Sequence, residues 1–145
     1  LLLVGGAGWE SKERLREITD AGFVVTTGHV SDDELVALYR GATLFAYPSL
    51  YEGFGLPVLE AMTAGVPVLT SDRSSMPEVA GDAAIYVDPE DVASITSGLR
   101  RGLTDAGLRE QLTAGGRARA TEFSWQRYAA EMESAALTAV ARRNS

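Results

Sequence analysis

The sequence predicts an α/β fold with a doubly wound parallel sheet, and three observations lead to this class. Short apolar runs alternate with amphipathic segments of helical spacing along the chain. These runs are apolar rather than alternating, as is typical of strands buried on both faces of a parallel sheet. The 145 residues are 46% hydrophobic and 23% charged, which fits one globular domain of ordinary size.

Five apolar runs are predicted to form the strands. Each has the length of a buried strand and is bounded by residues that favour turns. In chain order they cover residues 1–4, 23–27, 44–47, 66–70 and 84–87. Helices that connect parallel strands are expected to follow right-handed crossovers.

The first predicted helices lie between these strands. Apolar spacing over residues 10–21 predicts a helix that Gly22 ends. Ser31 and Glu34 have the spacing of a capping box, which predicts a helix to about residue 40. Pro57 at a first helical position predicts a helix to about residue 64, closed by Gly65.

The later helices are predicted from similar signals. Ser75 and Glu78 have the spacing of a second capping box. From residue 90 onward the pattern is helical, with breaks expected near Gly107 and at residues 115–116. Ser124 is the expected N-cap of the last helix.

The composition excludes several classes of function. The absence of cysteine excludes disulfides, thiolate metal sites and thiol nucleophiles, and the single histidine, His29, leaves little material for a His-based metal cluster. A net charge of −7 argues against affinity for nucleic acid. No apolar run approaches the roughly 18 residues of a membrane span. We therefore predict a soluble, cytoplasmic domain without a transmembrane segment.

The loop after the third strand is the strongest candidate for a binding site. Ligands of parallel sheets bind at the carboxyl ends of the strands, where this loop lies. Gly53 and Gly55 permit close approach of a ligand, and free amides at the start of the following helix would suit a diphosphate. A tight turn that needs glycine for its geometry alone is an equally open interpretation.

Two glutamates make this loop more specific. Glu52 lies in the loop and Glu60 about one turn into the helix, so both carboxylates could border one cleft. A carboxylate only accepts hydrogen bonds, and sugar hydroxyls donate them. Backbone amides for phosphates and acids for hydroxyls together fit a nucleoside diphosphate sugar. A favourable interaction with the helix dipole is the alternative explanation of Glu60.

The stretch EGFGLPVLEAM at residues 52–62, followed by GVPV at 65–68, resembles the E-x7-E signature of retaining glycosyltransferases of GT-B architecture, which have two Rossmann-like domains. Further matching segments follow in the expected order, at residues 8–9, 28–31, 38–42, 47–49, 74–79, 81–84 and 123–125. The resemblance covers essentially the whole chain. It implies the C-terminal, donor-binding domain of a group 1 enzyme of the mannosyltransferase type.

The resemblance also implies roles for individual residues. Glu60 would bind the ribose hydroxyls, and Glu52, the expected catalytic residue, would bind hydroxyls of the transferred sugar. The other expected donor-binding residues are Gly53, Phe54, Gly55 and Leu56 at the sugar and diphosphate, Gly28, His29 and Val30 along the base, and Gly5 and Gly6 near the nucleotide. His29 stands where the family usually has tyrosine or phenylalanine and is expected to be a loop residue.

The implied reaction transfers a hexosyl group, of mannose or glucose type, to an acceptor hydroxyl with retention of configuration. The resemblance also implies that no metal and no cofactor are bound, and that the nucleotide sugar is the donor substrate. Family members place an acceptor-binding domain first, then a strand and helix with an arginine and a lysine that bind the diphosphate. The only lysine here, Lys12, does not match that position. Residues 1–145 are therefore expected to be a nucleotide-sugar-binding domain truncated at its N-terminus and inactive alone.

The expected gap is the central strand of the sheet. The strands near Leu1 and Leu44 would flank it and keep unpaired edges, which a second chain or a swapped strand could fill. Direct pairing of these two strands would contradict this expectation. The full-length enzyme is expected in the cytoplasm, either free or peripheral to the inner face of the membrane.

The same residues leave other functions open. A non-catalytic nucleotide-binding fragment is the main alternative, followed by a nucleotide-sugar epimerase or a phosphorylase of the same architecture. A nicotinamide-dependent oxidoreductase is disfavoured, because Ser11 replaces the third glycine of the dinucleotide fingerprint that Gly6 and Gly8 begin.

Overall fold

The structure, a computed structural model, describes residues 1–6, 16–17, 19–20 and 22–143. The helix predicted over residues 10–21 falls largely outside these ranges, and its four described residues are helical. Gly8, Ser11 and Lys12 also lie outside them. The chain divides into two compact units, Leu1–Leu38 and Tyr39–Ser145.

The first unit contains two short parallel strands. Strand β1 (Leu2–Leu3) pairs with β2 (Val25–Thr26). Beyond their carboxyl ends, the amide of Gly5 donates to the carbonyl of Gly28 at 3.0 Å. Both predicted strands are thus confirmed, although each is shorter than expected.

Helix α1 (Asp32–Gly41) begins in the first unit and ends in the second. The predicted capping box is confirmed. The amide of Ser31 donates to Glu34 Oε2 at 2.8 Å, and the amide of Glu34 donates to Ser31 Oγ at 3.4 Å. The backbone hydrogen bond from Ser31 lowers the pKa of Glu34 below its ordinary value.

The second unit is built on a three-stranded parallel sheet. Strands β3 (Phe45–Tyr47), β4 (Val68–Ser71) and β5 (Ala84–Val87) lie in the order β3-β4-β5. All four residues of the central strand β4 are buried, so both of its faces are covered. This explains why the strand does not alternate between apolar and polar residues, although it ends in the buried polar residues Thr70 and Ser71. The parallel strands and their helices confirm the α/β class.

In the described part of the second unit, five helices follow the first strand of the sheet: α2 (Leu56–Ala64), α3 (Met76–Ala80), α4 (Val92–Thr104), α5 (Ala106–Ala120) and α6 (Trp125–Arg143). One core cluster consists of Leu69, Ile85, Val87 and Leu112, with partly buried side chains of α4 and α5 packed on it. Burial of these side chains is the main term that stabilises the unit.

Several predicted helix ends are confirmed. Gly65 closes α2 in the left-handed region, at φ 80°, and its amide donates to the carbonyl of Met62. Ser124 caps α6, because its Oγ accepts from the amide of Arg127 at 3.1 Å. The break expected near Gly107 lies at Asp105, whose side chain accepts from the amide of Leu108.

Two predictions about helices are wrong. Residues 115–116 do not break a helix, since α5 continues through them to Ala120, and the glycines serve close packing instead. Ser75 precedes α3 but makes no side-chain cap, because its hydroxyl donates to the carbonyl of Glu52 at 3.0 Å.

The described strands form two sheets, β1-β2 and β3-β4-β5. Pairing between β1 and β3, which would have contradicted a missing central strand, is not among their ladders. Completion of the sheet by a further strand, a second chain or a swapped element stays a prediction.

Candidate functional site

Glu52 lies in the loop between β3 and α2, and its side chain is held by two hydroxyls. Tyr47 Oη donates to Glu52 Oε1 at 2.5 Å, and Ser49 Oγ donates to the same oxygen at 2.9 Å. Tyr47 is the last residue of β3, so the sheet itself fixes one of these donors. In the described part of the chain, Glu52 Oε2 makes no hydrogen bond.

The backbone of Glu52 is held as firmly as its side chain. Its amide donates to Ser74 Oγ at 3.1 Å, and its carbonyl accepts from Ser75 Oγ at 3.0 Å. Ser74 has φ 50°, a strained conformation for a residue other than glycine. The two serines follow β4, so neighbouring strands together fix the position of Glu52.

Glu60 lies on α2 and is exposed, with one oxygen held by the preceding helix. Tyr39 Oη, on α1, donates to Glu60 Oε2 at 3.1 Å and lies 3.5 Å from the carbonyl oxygen of Pro57. Tyr39 is only 8% exposed. Glu60 Oε1, like Glu52 Oε2, makes no hydrogen bond to the described residues.

The two tyrosines belong to one aromatic cluster. Tyr39 packs edge-on against Phe45 with ring centroids 5.2 Å apart, and Phe45 stacks on Tyr47 at 5.9 Å. Burial, reinforced by the hydrogen bond to Glu52, raises the pKa of Tyr47 to about 12. Burial and the charge of Glu60 raise the pKa of Tyr39 well above its ordinary value. The structure therefore places Glu52 and Glu60 at the two ends of this cluster, and both hydroxyls remain donors at neutral pH.

The loop between the two glutamates presents backbone amides. No hydrogen bond of the described chain uses the amides of Gly53, Phe54, Gly55 or Leu56. Gly55 has φ 103°, and a Cβ there would lie 2.3 Å from Cε of the buried Met76. Glycine is thus required at position 55 by geometry. At Gly53 a Cβ would meet no atom within 4 Å, so packing does not explain that glycine.

The remaining predicted residues gather in the first unit, at the carboxyl ends of β1 and β2. Gly5 and Gly28 are joined by the hydrogen bond described above, and Gly6 is exposed beside them. His29 and Val30 line a cleft of about 400 Å³ whose other lining residues are Thr27, Glu34, Ala37 and Leu38. The structure therefore brings the predicted residues together in two groups, one in each unit.

A second cleft, of about 510 Å³, was not predicted from the sequence. It lies in the second unit beside Thr43 and Pro67, which precede β3 and β4, and one side of α5 forms its wall. Arg109 in this wall donates to the carbonyls of Gly102 and Leu103 at the end of α4. This arginine thus stabilises a helix end, where a positive charge is favourable.

Sequence reasoning missed the residues that hold the glutamates, which are Tyr39, Tyr47, Ser49, Ser74 and Ser75. All five lie in segments that matched the family pattern, and that was the only signal for them. Among the described residues, no group of three or more His, Asp or Glu side chains could hold a metal ion. In that same part of the chain, no helix has the length and apolar character needed to cross a bilayer.

Residues 1–119 match the family model described as "Glycosyl transferases group 1". The chain is 46% identical over 129 residues to the O-antigen chain mannosyltransferase B of Escherichia coli, covering 87% of this chain and 34% of that protein. It is 39% identical over 136 residues to the MMP alpha-(1->4)-mannosyltransferase of Mycolicibacterium hassiacum, covering 91% and 33%. The chain thus spans about a third of the length of these two relatives.

Two solved structures share the fold. Sucrose-phosphate synthase from Thermosynechococcus elongatus superposes with a TM-score of 0.81 at 27% identity, over 98% of this chain and 39% of that one. Anabaena HepE, in complex with UDP and glucose, superposes with a TM-score of 0.77 at 23% identity, over 92% and 40%.

Proposed function

This chain belongs to the group 1 glycosyl transferases, and from that premise we propose that it holds the donor, a nucleoside diphosphate sugar, in a hexosyl transfer to an acceptor hydroxyl. One observation carries the proposal. Glu52 and Glu60 each have one carboxylate oxygen bound by a tyrosine hydroxyl and one oxygen without a partner in the described chain. Two such acceptors suit a ligand that carries hydroxyls at two places.

The hydroxyls of a nucleotide sugar are divided between ribose and hexose. We assign Glu60 to the ribose and Glu52 to the hexose that is transferred. Glu52 is the catalytic residue of this assignment, because it touches the reacting sugar. Its fixed backbone and side chain support the assignment, since a small displacement at the reacting centre is costly for turnover.

The phosphates are assigned to the amides of Gly53, Phe54, Gly55 and Leu56. These amides lie at the start of α2, where the helix dipole favours negative charge. Charge grows on the diphosphate as the glycosidic bond breaks, so preorganised amides would stabilise the transition state more than the ground state. We propose that the donor phosphate assists the incoming hydroxyl on the same face of the sugar, which retains the configuration.

The base is assigned to the cleft in the first unit. Val30 supplies an apolar contact, His29 and Gly28 supply main chain, and Gly5 and Gly6 lie at the neighbouring strand end. The transferred sugar is of mannose or glucose type. The two relatives above are named as mannosyltransferases, and HepE was crystallised with UDP and glucose. The acceptor is assigned to a part of the enzyme outside this chain.

The proposal is tested by donor binding and turnover in the complete protein. Titration with GDP-mannose, UDP-glucose and ADP-glucose identifies the donor. Glu60→Ala is expected to weaken donor binding at least about tenfold, since hydrogen bonds to a charged group contribute about 1.5–3 kcal/mol. Glu52→Gln is expected to lower kcat as well.

The matched control is Glu133→Gln, which removes an exposed carboxylate of α6. This variant is expected to change neither the donor affinity nor kcat. Unchanged donor affinity in Glu60→Ala would show that the ribose assignment is wrong. Binding of all three nucleotide sugars without any transfer would instead favour a non-catalytic binding module.

A further inference from the structure

The assigned roles of Glu52 and Glu60 use their carboxylates and leave the tyrosines beside them unexplained. We propose that Tyr39 and Tyr47 are positioning residues for sugar transfer, each holding one oxygen of a donor-binding glutamate so that the other oxygen points at the donor. This inference rests on the proposed function, because it requires both glutamates to bind the donor.

The contact at Glu52 has the geometry of a fixed acceptor. Tyr47 and Ser49 both donate to Oε1, at 2.5 Å and 2.9 Å, and neither donates to Oε2. Two donors on the same oxygen restrict rotation about the last bond of the glutamate side chain. The direction of Oε2 is therefore set before a ligand arrives.

The contact at Glu60 is different, because Glu60 is exposed and would otherwise move freely. Tyr39 holds Oε2 from a different helix, 21 residues away in the sequence. The same hydroxyl lies 3.5 Å from the carbonyl oxygen of Pro57 in the first turn of α2. Tyr39 thus ties Glu60 to the end of α2 that carries the proposed phosphate amides.

Phe45 gives the two tyrosines a common support. Its ring meets Tyr39 edge-on and is stacked on Tyr47, so a shift of either tyrosine would disturb the contact with Phe45. Phe45 and Tyr47 are two residues apart on β3 and therefore lie on the same face of the strand. One rigid cluster then sets the separation of the two carboxylates.

This arrangement acts on catalysis rather than on stability alone. A free glutamate must be ordered when the donor binds, and the loss of side-chain entropy weakens binding. Where a tyrosine already orders the glutamate, this entropy is lost during folding and not when the donor binds. Removing the hydroxyl should therefore weaken donor binding or turnover even in a protein that is fully folded.

The test uses Tyr39→Phe and Tyr47→Phe in the complete protein, since each keeps the ring and removes only the hydroxyl. Tyr39→Phe is expected to raise the KM for the donor about 3- to 10-fold with little change in kcat, the range that one net hydrogen bond corresponds to. Tyr47→Phe is expected to lower kcat by a similar factor, because Glu52 faces the transferred sugar.

Tyr86→Phe is the matched control. The hydroxyl of Tyr86 is also part-buried and donates at 2.5 Å, but to the carbonyl of Gly81 rather than to a carboxylate. Burial raises the pKa of Tyr86 as it does for the other two. This variant is expected to lower the melting temperature and to leave KM and kcat unchanged.

A double-mutant cycle of Tyr39→Phe with Glu60→Ala decides the mechanism. If Tyr39 acts through Glu60, Tyr39→Phe has no further effect on donor affinity once Glu60 is removed. Additive effects, or a Tyr39→Phe variant no different from Tyr86→Phe, would overturn the inference while the proposed function stands. An unchanged donor affinity in Glu60→Ala would overturn the role of Glu60 itself, and the role of Tyr39 with it.

Discussion

Gly116 of α5 lies directly against Met62 of α2, so closely that a Cβ at Gly116 would stand 3.1 Å from Met62 Cγ. Its neighbour Gly115 faces Ala83 in the same way, with the corresponding Cβ distance at 3.3 Å. Met62 is 1% exposed. The two glycines thus let α5 approach α2 and the residue before β5. This close packing fixes the position of α2, the helix that carries Glu60.

Replacing Gly116 by alanine is expected to destabilise the protein by about 1 kcal/mol, because the buried Met62 must shift by a few tenths of an ångström to admit the Cβ. The higher helix propensity of alanine offsets only part of this loss. Gly107→Ala is the control, because Gly107 is exposed in the same helix and a Cβ there has room. That variant is expected to leave stability unchanged or slightly raised, because Gly107 lies in the first turn of α5, where the higher helix propensity of alanine counts less than in the middle of a helix. Denaturant unfolding of both variants measures the difference, and equal stability would show that the close approach is unimportant.

The same pair of glycines shows where sequence reasoning fails. A Gly-Gly pair predicts a helix break when only backbone freedom is considered, yet α5 runs through it. The helix continues because Gly116 packs against Met62, which lies more than 50 positions away in the chain. No local sequence pattern contains this contact. By contrast, the capping box of Ser31 and Glu34 was predicted correctly, because all of its partners lie within four residues.

Gly55 and Gly53 are expected to respond differently to alanine. Gly55→Ala places a side chain at φ 103° and against Met76, so we expect a loss of stability of about 1–3 kcal/mol. Gly53→Ala meets neither obstacle and should leave stability nearly unchanged. If the backbone at Gly53 approaches the diphosphate, this variant instead weakens donor binding. Melting curves with and without the donor separate the two effects, and normal binding by a stable Gly53→Ala protein would remove Gly53 from the site.

The buried Tyr39 and the half-buried Tyr47 predict a loss of stability at high pH. Burial raises the pKa of Tyr47 from 10.0 to about 12, so between these values the unfolded chain releases a proton that the folded chain keeps. The contribution of the neutral Tyr47 hydroxyl to the free energy of unfolding is fully present below pH 10 and is lost as the pH rises towards 12. Tyr39 adds to the effect in the same direction. Denaturation across this range should give a shallower decline for Tyr47→Phe than for the unaltered protein, and parallel declines would contradict the shift.

Only part of the candidate site can be predicted from the sequence. Glu52, Glu60 and the glycine loop are contiguous, and their chemistry can be derived from one stretch of sequence. Their supports come from separate elements: Tyr39 from α1, Tyr47 from β3, and Ser75 from the segment before α3. The spacing of Ser75 and Glu78 fits a capping box, which predicts that Ser75 caps the helix. In the structure its hydroxyl instead donates a hydrogen bond to the carbonyl of Glu52. Such competition is decided by tertiary structure.

Arg119, in the last turn of α5, is expected to support the site. Its Nε donates to the carbonyl of Val79 at 3.0 Å, its guanidinium lies 4.9 Å from the ring centroid of Phe123, and that ring meets Phe54 edge-on at 6.0 Å. A second guanidinium nitrogen donates to the carbonyl of Glu78, so the arginine binds the end of α3 through two hydrogen bonds. Lysine cannot reproduce this planar, forked contact together with the stacking on an aromatic ring.

We therefore expect Arg119→Lys to lower stability by about 1–3 kcal/mol. It should also raise the KM for the donor a few-fold, because Phe123, which packs edge-on against Phe54, loses the guanidinium over its ring. Arg127→Lys is the control, since Arg127 pairs with Glu131 on the exposed surface of α6 and should affect stability little. Phe123→Leu separates the two consequences. It keeps both carbonyl contacts of Arg119 but removes the edge-on ring, so it should change KM more than stability. A KM that follows stability in all three variants would show that Phe54 needs no support from this side.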